Sequence, residues 1–216
     1  MRLRNLKNKE ELINNSPYLI QDPYKYKGKW KDVFDNNNPI YIEIGMGFGK
    51  FITENAIKNP NINFIGIEKQ DKVLARCLPK FDNNINNLKV LRLDALEIDK
   101  IFSKEVDRIF LNFSDPWPKN RHSDRRLSSE VFLKKYDNVF RDNKSIYMKT
   151  DNRDLYIYSL ESFSSYGYTL SDINFDLHEE ENPDIITTEY EDKFVNKGQP
   201  IYSVVATKSS RSSKEV

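Results

Sequence analysis

Five acidic residues, Glu43, Glu68, Asp94, Asp115 and Asp151, each close a short apolar run, and Asp115 is followed by Pro116-Trp117-Pro118-Lys119. The chain then turns basic at Arg121, His122, Arg125 and Arg126. A carboxylate set beside prolines and an indole, with cations directly after it, suits a site that positions a base and holds a polyanion. Glycine usage indicates what else is bound. Of seven glycines in the chain, Gly45, Gly47 and Gly49 alternate immediately after Glu43-Ile44. Glycine permits a tight turn and lets a ligand approach the backbone. The spacing departs from G-x-G-x-x-G, and an acid directly before the loop would repel a pyrophosphate. A ligand with a cationic amino group, a ribose diol and no phosphate fits these residues better, and S-adenosylmethionine is such a ligand. Glu43 and the glycine loop would face its methionine end, Glu68 would accept from both ribose hydroxyls, and Asp94 with Ala95 would receive the adenine amine. Asp94 could equally cap a helix beginning at Ala95.

The elements that must position these residues alternate along the chain. Apolar, β-rich runs at 40–43, 64–68, 90–94, 109–115 and 146–151 predict strands, and 50–59, 71–78, 128–141 and 152–166 predict helices. In the third helix Phe132, Leu133, Tyr136, Val139 and Phe140 share one face, and Ser128 and Ser129 are candidate caps. After Gly167 two more strands, 168–177 and 201–207, follow with no convincing helix between them. The pattern predicts an α/β fold with a mostly parallel seven-stranded sheet, an antiparallel pair at one edge and helices on both faces. In such a sheet ligands bind outside the carboxyl ends of the strands, where the five acids would form a rim. Residues 1–38, with eight cations against five acids, predict a polar extension outside the core, 39–208 the main domain, and 209–216 a disordered tail.

Composition bounds the possibilities. A chain of 216 residues with 38% hydrophobic content buries one sizeable core, and a net charge of +1 gives no global basicity. A single cysteine, Cys77, excludes a disulfide framework and a multi-thiolate zinc cluster, which fits a reducing compartment. No metal is expected. No run approaches the roughly 18 apolar residues of a membrane span, and the start lacks the apolar core of a signal peptide. The expectation is a cytoplasmic protein, as a monomer or a homodimer.

Glu43-Ile44-Gly45-x-Gly47-x-Gly49, Gly66-Ile67-Glu68, Asp94-Ala95, Asp115 to Lys119, Arg125-Arg126-Leu127, Lys149-Thr150-Asp151 and Thr188-Glu189-Tyr190-Glu191 run in order over some three quarters of the chain. Together they resemble the bacterial tRNA (guanine-N7-)-methyltransferases, the TrmB family. The glycine motif alone is that of Rossmann-like class I S-adenosylmethionine-dependent methyltransferases; the segment after Asp115 and the late T-x-Y-E motif carry the finer likeness. The resemblance implies cofactor contacts at Glu43, Glu68, Asp94 and Asp115. It implies substrate contacts at Lys119, Asp151, Thr188, Glu189, Tyr190 and Glu191, and RNA contact by Arg121, Arg125 and Arg126. Asp124 puts a negative charge inside that basic segment. The implied reaction is methylation of N7 of a tRNA guanosine, in the variable loop, with Asp115 as the catalytic carboxylate.

Other readings stay open on the residues themselves. Trp117 either stacks on a base or covers a core edge. Thr188 either lines a guanine pocket with Glu191 or caps a helix. His178, in an acidic stretch, reads as a surface residue. Asp115-Pro116-Trp117-Pro118 also resembles the D-P-P-aromatic segment of enzymes that methylate exocyclic amines, and a non-catalytic RNA-binding module on the same fold is a third possibility.

Overall fold

Strand Asn63–Glu68 is buried at every position, as a strand covered by helices on both faces must be. The structure, a computed structural model, describes residues 6–82, 84–180 and 182–209. Its strands are β1 (Ile40–Ile44), β2 (Asn63–Glu68), β3 (Leu88–Arg92), β4 (Arg108–Asn112), β5 (Lys144–Thr150), β6 (Thr169–Asn174) and β7 (Tyr202–Lys208). They form one sheet in the order β3-β2-β1-β4-β5-β7-β6. All neighbours are parallel except β7, which runs antiparallel to both β5 and β6. This is the predicted sheet with its antiparallel edge pair.

The helices are α1 (Lys9–Asn14), α2 (Trp30–Phe34), α3 (Lys50–Lys58), α4 (Asp71–Cys77), α5 (Ile98–Ile101), α6 (Glu130–Val139), α7 (Arg153–Ser165) and α8 (Glu189–Val195). The two-residue period of β1 divides the core. Ile40, Ile42 and Ile44 join the cluster that takes in Phe132 and Tyr136 of α6 and Tyr156 of α7. Tyr41 turns to the opposite cluster, with Phe51 of α3 and Leu74 of α4. The apolar face of α6 is buried as predicted, but its serines do not cap it. Ser129 Oγ donates to the Asp124 carbonyl, and Ser128 Oγ pairs with Ser159 Oγ on α7. Cys77 is a small buried residue of α4, and burial pushes its thiol up to about 12.

Three expectations are corrected. Segment 6–38 does not lie outside the core: Ile13, Tyr18, Leu19 and Trp30 are buried, and the Trp30 indole donates to the Ile101 carbonyl. The chain at Leu19 also bridges to Val90, extending the β3 edge. Apolar anchors spaced widely in a polar sequence escape any test of periodicity. Second, a helix, α8, does form between β6 and β7, started by a capping box in which Thr188 and Glu191 bond each other's backbone amides. Third, β4 stops at Asn112 rather than reaching Asp115, because Phe113 takes a left-handed φ of 51°. Apart from Ser209, the predicted tail 209–216 lies outside the described residues. No helix among the described residues is long and apolar enough to cross a membrane.

Candidate active site

The strand order reverses at β1. The chain leaves β1 toward α3 on one face and leaves β4 toward α6 on the other, opening a crevice at the strand ends. A cavity of about 650 Å³ fills it, bordered by Gly45, Glu68, Asp94, Ala95, Asp115, Trp117 and Arg125. These were all predicted site residues or their neighbours. Glu68, the last residue of β2, is fixed by backbone amides, Gly47 N–H at 3.2 Å and Gln70 N–H at 2.9 Å. Burial raises its pKa, and those amides oppose the rise. Asp94 performs the alternative role considered from sequence, accepting from Leu96 N–H at 3.0 Å to cap a short turn at Ala95, while still facing the cavity.

Glu43 is not on the rim. It lies within β1, only 1% exposed, and turns toward α3. Asn112, at the end of β4, donates to its Oε1 at 2.8 Å, while Oε2 has no hydrogen-bond partner among the described residues. Burial raises its pKa to about 8, against the opposing pull of Asn112 and Lys149. Gly45 and Gly47 take left-handed φ of 79° and 57°, and a Cβ on either would meet nothing within 4 Å, so the loop is an open cradle. Gly49 serves packing instead: its Cβ would stand 2.5 Å from the ring of Phe81.

The Asp115 loop is held in an unusual backbone path. Phe113 and Trp117 both take left-handed φ, 51° and 42°, on either side of Ser114-Asp115-Pro116. Such conformations cost roughly 1–3 kcal/mol and gather where a side chain must be aimed. Arg126 holds the loop there. It is 9% exposed, donates to the Pro116 and Trp117 carbonyls at 3.0 and 3.1 Å, and lies 4.2 Å from the Tyr158 ring. Its guanidinium, expected among the RNA contacts, is here taken up by the two loop carbonyls. Lys119, Arg121 and Arg125 are exposed. Trp117 is half-buried, with the Arg125 guanidinium 4.9 Å over its ring and His122 edge-on at 5.9 Å. The indole thus borders the cavity rather than sealing a core edge.

Asp151 directly follows β5, and the Tyr190 hydroxyl lies 3.5 Å from its Oδ2. Tyr190, 44% exposed, stacks on Phe194 at 4.4 Å and tilts on Phe113 at 5.1 Å, so an aromatic step leads from the cavity to α8. Glu189 accepts from Lys50 N–H at the start of α3 at 3.2 Å. The Lys50 ammonium reaches Asp192 at 2.6 Å and Thr187 at 2.7 Å. Glu191 is fully buried between Lys149 at 2.6 Å and His178 at 2.7 Å. His178 is therefore not a free surface residue. Asn112, Lys149 and Lys50 were not predicted as site residues. A lysine inside the apolar run of β5 was the available signal, since lysines are almost never buried unpaired. No group of three or more His, Cys, Asp or Glu able to hold a metal occurs among the described residues.

Fold and crevice together define the class I S-adenosylmethionine-dependent methyltransferase architecture. A solved antibiotic-related methyltransferase superposes with a TM-score of 0.63 at 13% identity, over 85% of this chain and 94% of that one. A variant of the 16S rRNA (adenine(1408)-N(1))-methyltransferase from Catenulisporales acidiphilia, with cosubstrate SAM, gives 0.62 at 11%, over 91% and 95%. Sequence narrows the class. Residues 37–204 match a family described as putative methyltransferase. The tRNA (guanine-N(7)-)-methyltransferase of Lachnoclostridium phytofermentans is 52% identical over 209 residues, 95% of this chain and 98% of that one. That of Bacillus licheniformis is 48% identical over 197 residues, 90% and 92%. The chain belongs to the tRNA (guanine-N(7)-)-methyltransferase family and is an enzyme of that family.

Proposed function

We propose that this enzyme transfers a methyl group from S-adenosylmethionine to N7 of a guanosine in tRNA, the variable-loop guanosine, in the cytoplasm. One observation carries the reading: at Asp115 a cavity lined by Gly45 and Glu68 meets a loop bearing an indole and exposed cations. The residues fit the cofactor. Glu43 Oε2 is buried with no hydrogen-bond partner among the described residues, and the open space at Gly45 and Gly47 leaves their backbone free to be approached. Glu43 and the loop would hold the cationic amino-acid end, Glu68 the ribose, and Asp94 with Ala95 the adenine. When bound, the cofactor supplies an electrophilic methyl group on sulfur.

The rest of the task falls to the chain's own residues. Guanine N7 already carries a lone pair, so no proton leaves before attack and no general base is required. Catalysis reduces to alignment and to accommodating the positive charge that the base acquires. Asp115 accepts from the guanine N1 and N2 donors and offsets that charge. Tyr190 provides a face for stacking, with Asp151 and Thr188 beside it. Lys119, Arg121 and Arg125 take the flanking phosphates, while Asp124 leaves the basic segment less charged than its cations alone would make it.

The test is methyl transfer from labelled S-adenosylmethionine to an unmodified tRNA transcript, with the product nucleoside read by mass spectrometry. The expected product is N7-methylguanosine, lost from a transcript lacking the variable-loop guanosine. Label in an exocyclic amine, or none despite cofactor binding, would overturn the reading.

A further inference from the structure

The reaction proposed above gives Lys149 no task, yet this lysine is fully buried at the C-terminal end of β5. An ammonium taken out of water is costly unless it is both paired and hydrogen-bonded. Lys149 has both kinds of partner. Its Nζ donates to Glu191 Oε2 at 2.6 Å and to the Ile186 carbonyl at 2.9 Å, and it lies 5.0 Å from the Phe51 ring of α3.

Glu191 is closed on every side. Its Oε1 lies 2.7 Å from His178 Nε2, and its Oε2 also accepts from Thr188 N–H at 3.1 Å. With no exposed surface, this carboxylate points into the protein and does not border the cavity. Whatever Glu191 contributes at the base must pass through the backbone that it and Lys149 hold, which is the carbonyl at Ile186 and the turn from Thr188 to Glu191. That turn presents Tyr190, whose ring packs on Phe113 at the cavity and whose hydroxyl faces Asp151.

We propose that Lys149 is a positioning residue for substrate: through Glu191 and the Ile186 carbonyl it fixes the 186–191 turn, and so sets where Tyr190 and Thr188 meet the base. This rests on the guanosine reading above. It assigns Glu191 to the same role, in place of the direct substrate contact implied by resemblance. Ion pairing at Lys149 thereby governs alignment of the base, while its charge also acts on the buried Glu43 of β1.

The experiment compares wild type, Lys149→Met and the double variant Lys149→Met/Glu191→Leu for melting temperature, S-adenosylhomocysteine affinity, and kcat and KM on tRNA. A misplacement of about 1 Å costs on the order of 100-fold in rate. At saturating S-adenosylmethionine Lys149→Met is expected to lose about that much kcat on tRNA, a loss separate from the weaker S-adenosylhomocysteine binding that follows from removing its charge near Glu43. Replacing a buried ion pair by apolar side chains is often neutral for stability, so the double variant is expected to regain the melting temperature but not kcat. If the double variant regains kcat along with stability, or if Lys149→Met turns over at the wild-type rate, the pair only braces the fold and the proposal fails. Should Lys149→Met not fold, the double variant alone decides between these outcomes. A wild type that makes no N7-methylguanosine would instead sink the functional reading.

Discussion

The two walls of the crevice are built by different means. The cofactor wall is set by sheet register and backbone: β1, β2 and β3 end side by side, and Gly45 and Met46 N–H both bond the Ile67 carbonyl. Two amides fix Glu68, and Glu43 keeps a buried oxygen with no hydrogen-bond partner among the described residues. The substrate wall is set by side chains. Lys50 ties Thr187 and Asp192 to α3, and Lys149, Glu191 and His178 lock the turn into α8. The first wall leaves a buried carboxylate oxygen that the described protein groups do not pair. The second satisfies itself, so it changes shape only when an ion pair breaks. On the proposed reaction, affinity for the methyl donor would therefore reside in the first, and geometry at the base in the second.

The sharpest way to probe that division is at the seam. Asp115 is exposed and lines the cavity between the two walls, where the proposed reaction sets it against the base. Asp115→Asn should lower kcat by about 10²–10³-fold, the usual scale for one electrostatic contact in a transition state. Melting temperature should stay unchanged, measured alongside single-turnover methyl transfer. A loss confined to KM would move Asp115 from chemistry to docking.

Glu43→Gln tests the cofactor wall and should weaken S-adenosylhomocysteine binding by about 10- to 100-fold. Burial raises the folded-state pKa of Glu43 from its ordinary 4.5 to about 8. Between those values the folded, ligand-free protein keeps a proton that the unfolded chain has released, so stability falls as pH rises through that window. Glu43→Gln removes this fall. It should match wild type near pH 5 and exceed it above pH 8 by on the order of 2–4 kcal/mol, read by denaturant unfolding. Binding of the cationic donor should also release a proton from wild type at pH 7 and none from the variant, measured by calorimetry in buffers of different ionisation enthalpy. Equal stability of the two proteins at high pH would show that Glu43 is already ionised in the free enzyme.

How legible each wall was follows from how it is made. Strands announce themselves by apolar runs, so Glu68 after Gly66-Ile67, and Gly45 soon after Glu43, could be placed on the crevice from sequence. The substrate wall depends on pairs far apart in the chain, such as Lys149 with Glu191 and Lys50 with Asp192, and no local pattern encodes them. The capping box at Thr188 was local, but a polar seven-residue helix that packs on a site lacks the apolar stripe that marks a core helix. Trp30 and Ile13 were missed for the converse reason: each is an apolar anchor isolated in charged sequence. From sequence Arg126 reads as part of one cationic surface, whereas the chain's turn buries it.

That last case yields the smallest expected effects and the cleanest contrast. Arg126 donates to two carbonyls of the Asp115 loop, and Arg121, five residues earlier, is exposed. Hydrogen bonds from a charged donor contribute about 1.5–3 kcal/mol, so Arg126→Gln should lower the melting temperature and reduce kcat by about 10-fold. It should leave the dependence of tRNA affinity on salt as it was, because a guanidinium already bound to carbonyls displaces no counterion. Arg121→Gln should do the reverse. Stability and kcat should hold, affinity should fall only a few-fold at moderate salt, and the slope of log K against log salt should shallow by about 0.7–0.9, the loss of one phosphate contact. If both variants shallow the slope equally, Arg126 must leave its carbonyls when tRNA binds, and the Asp115 loop would be remade by its substrate rather than held ready for it.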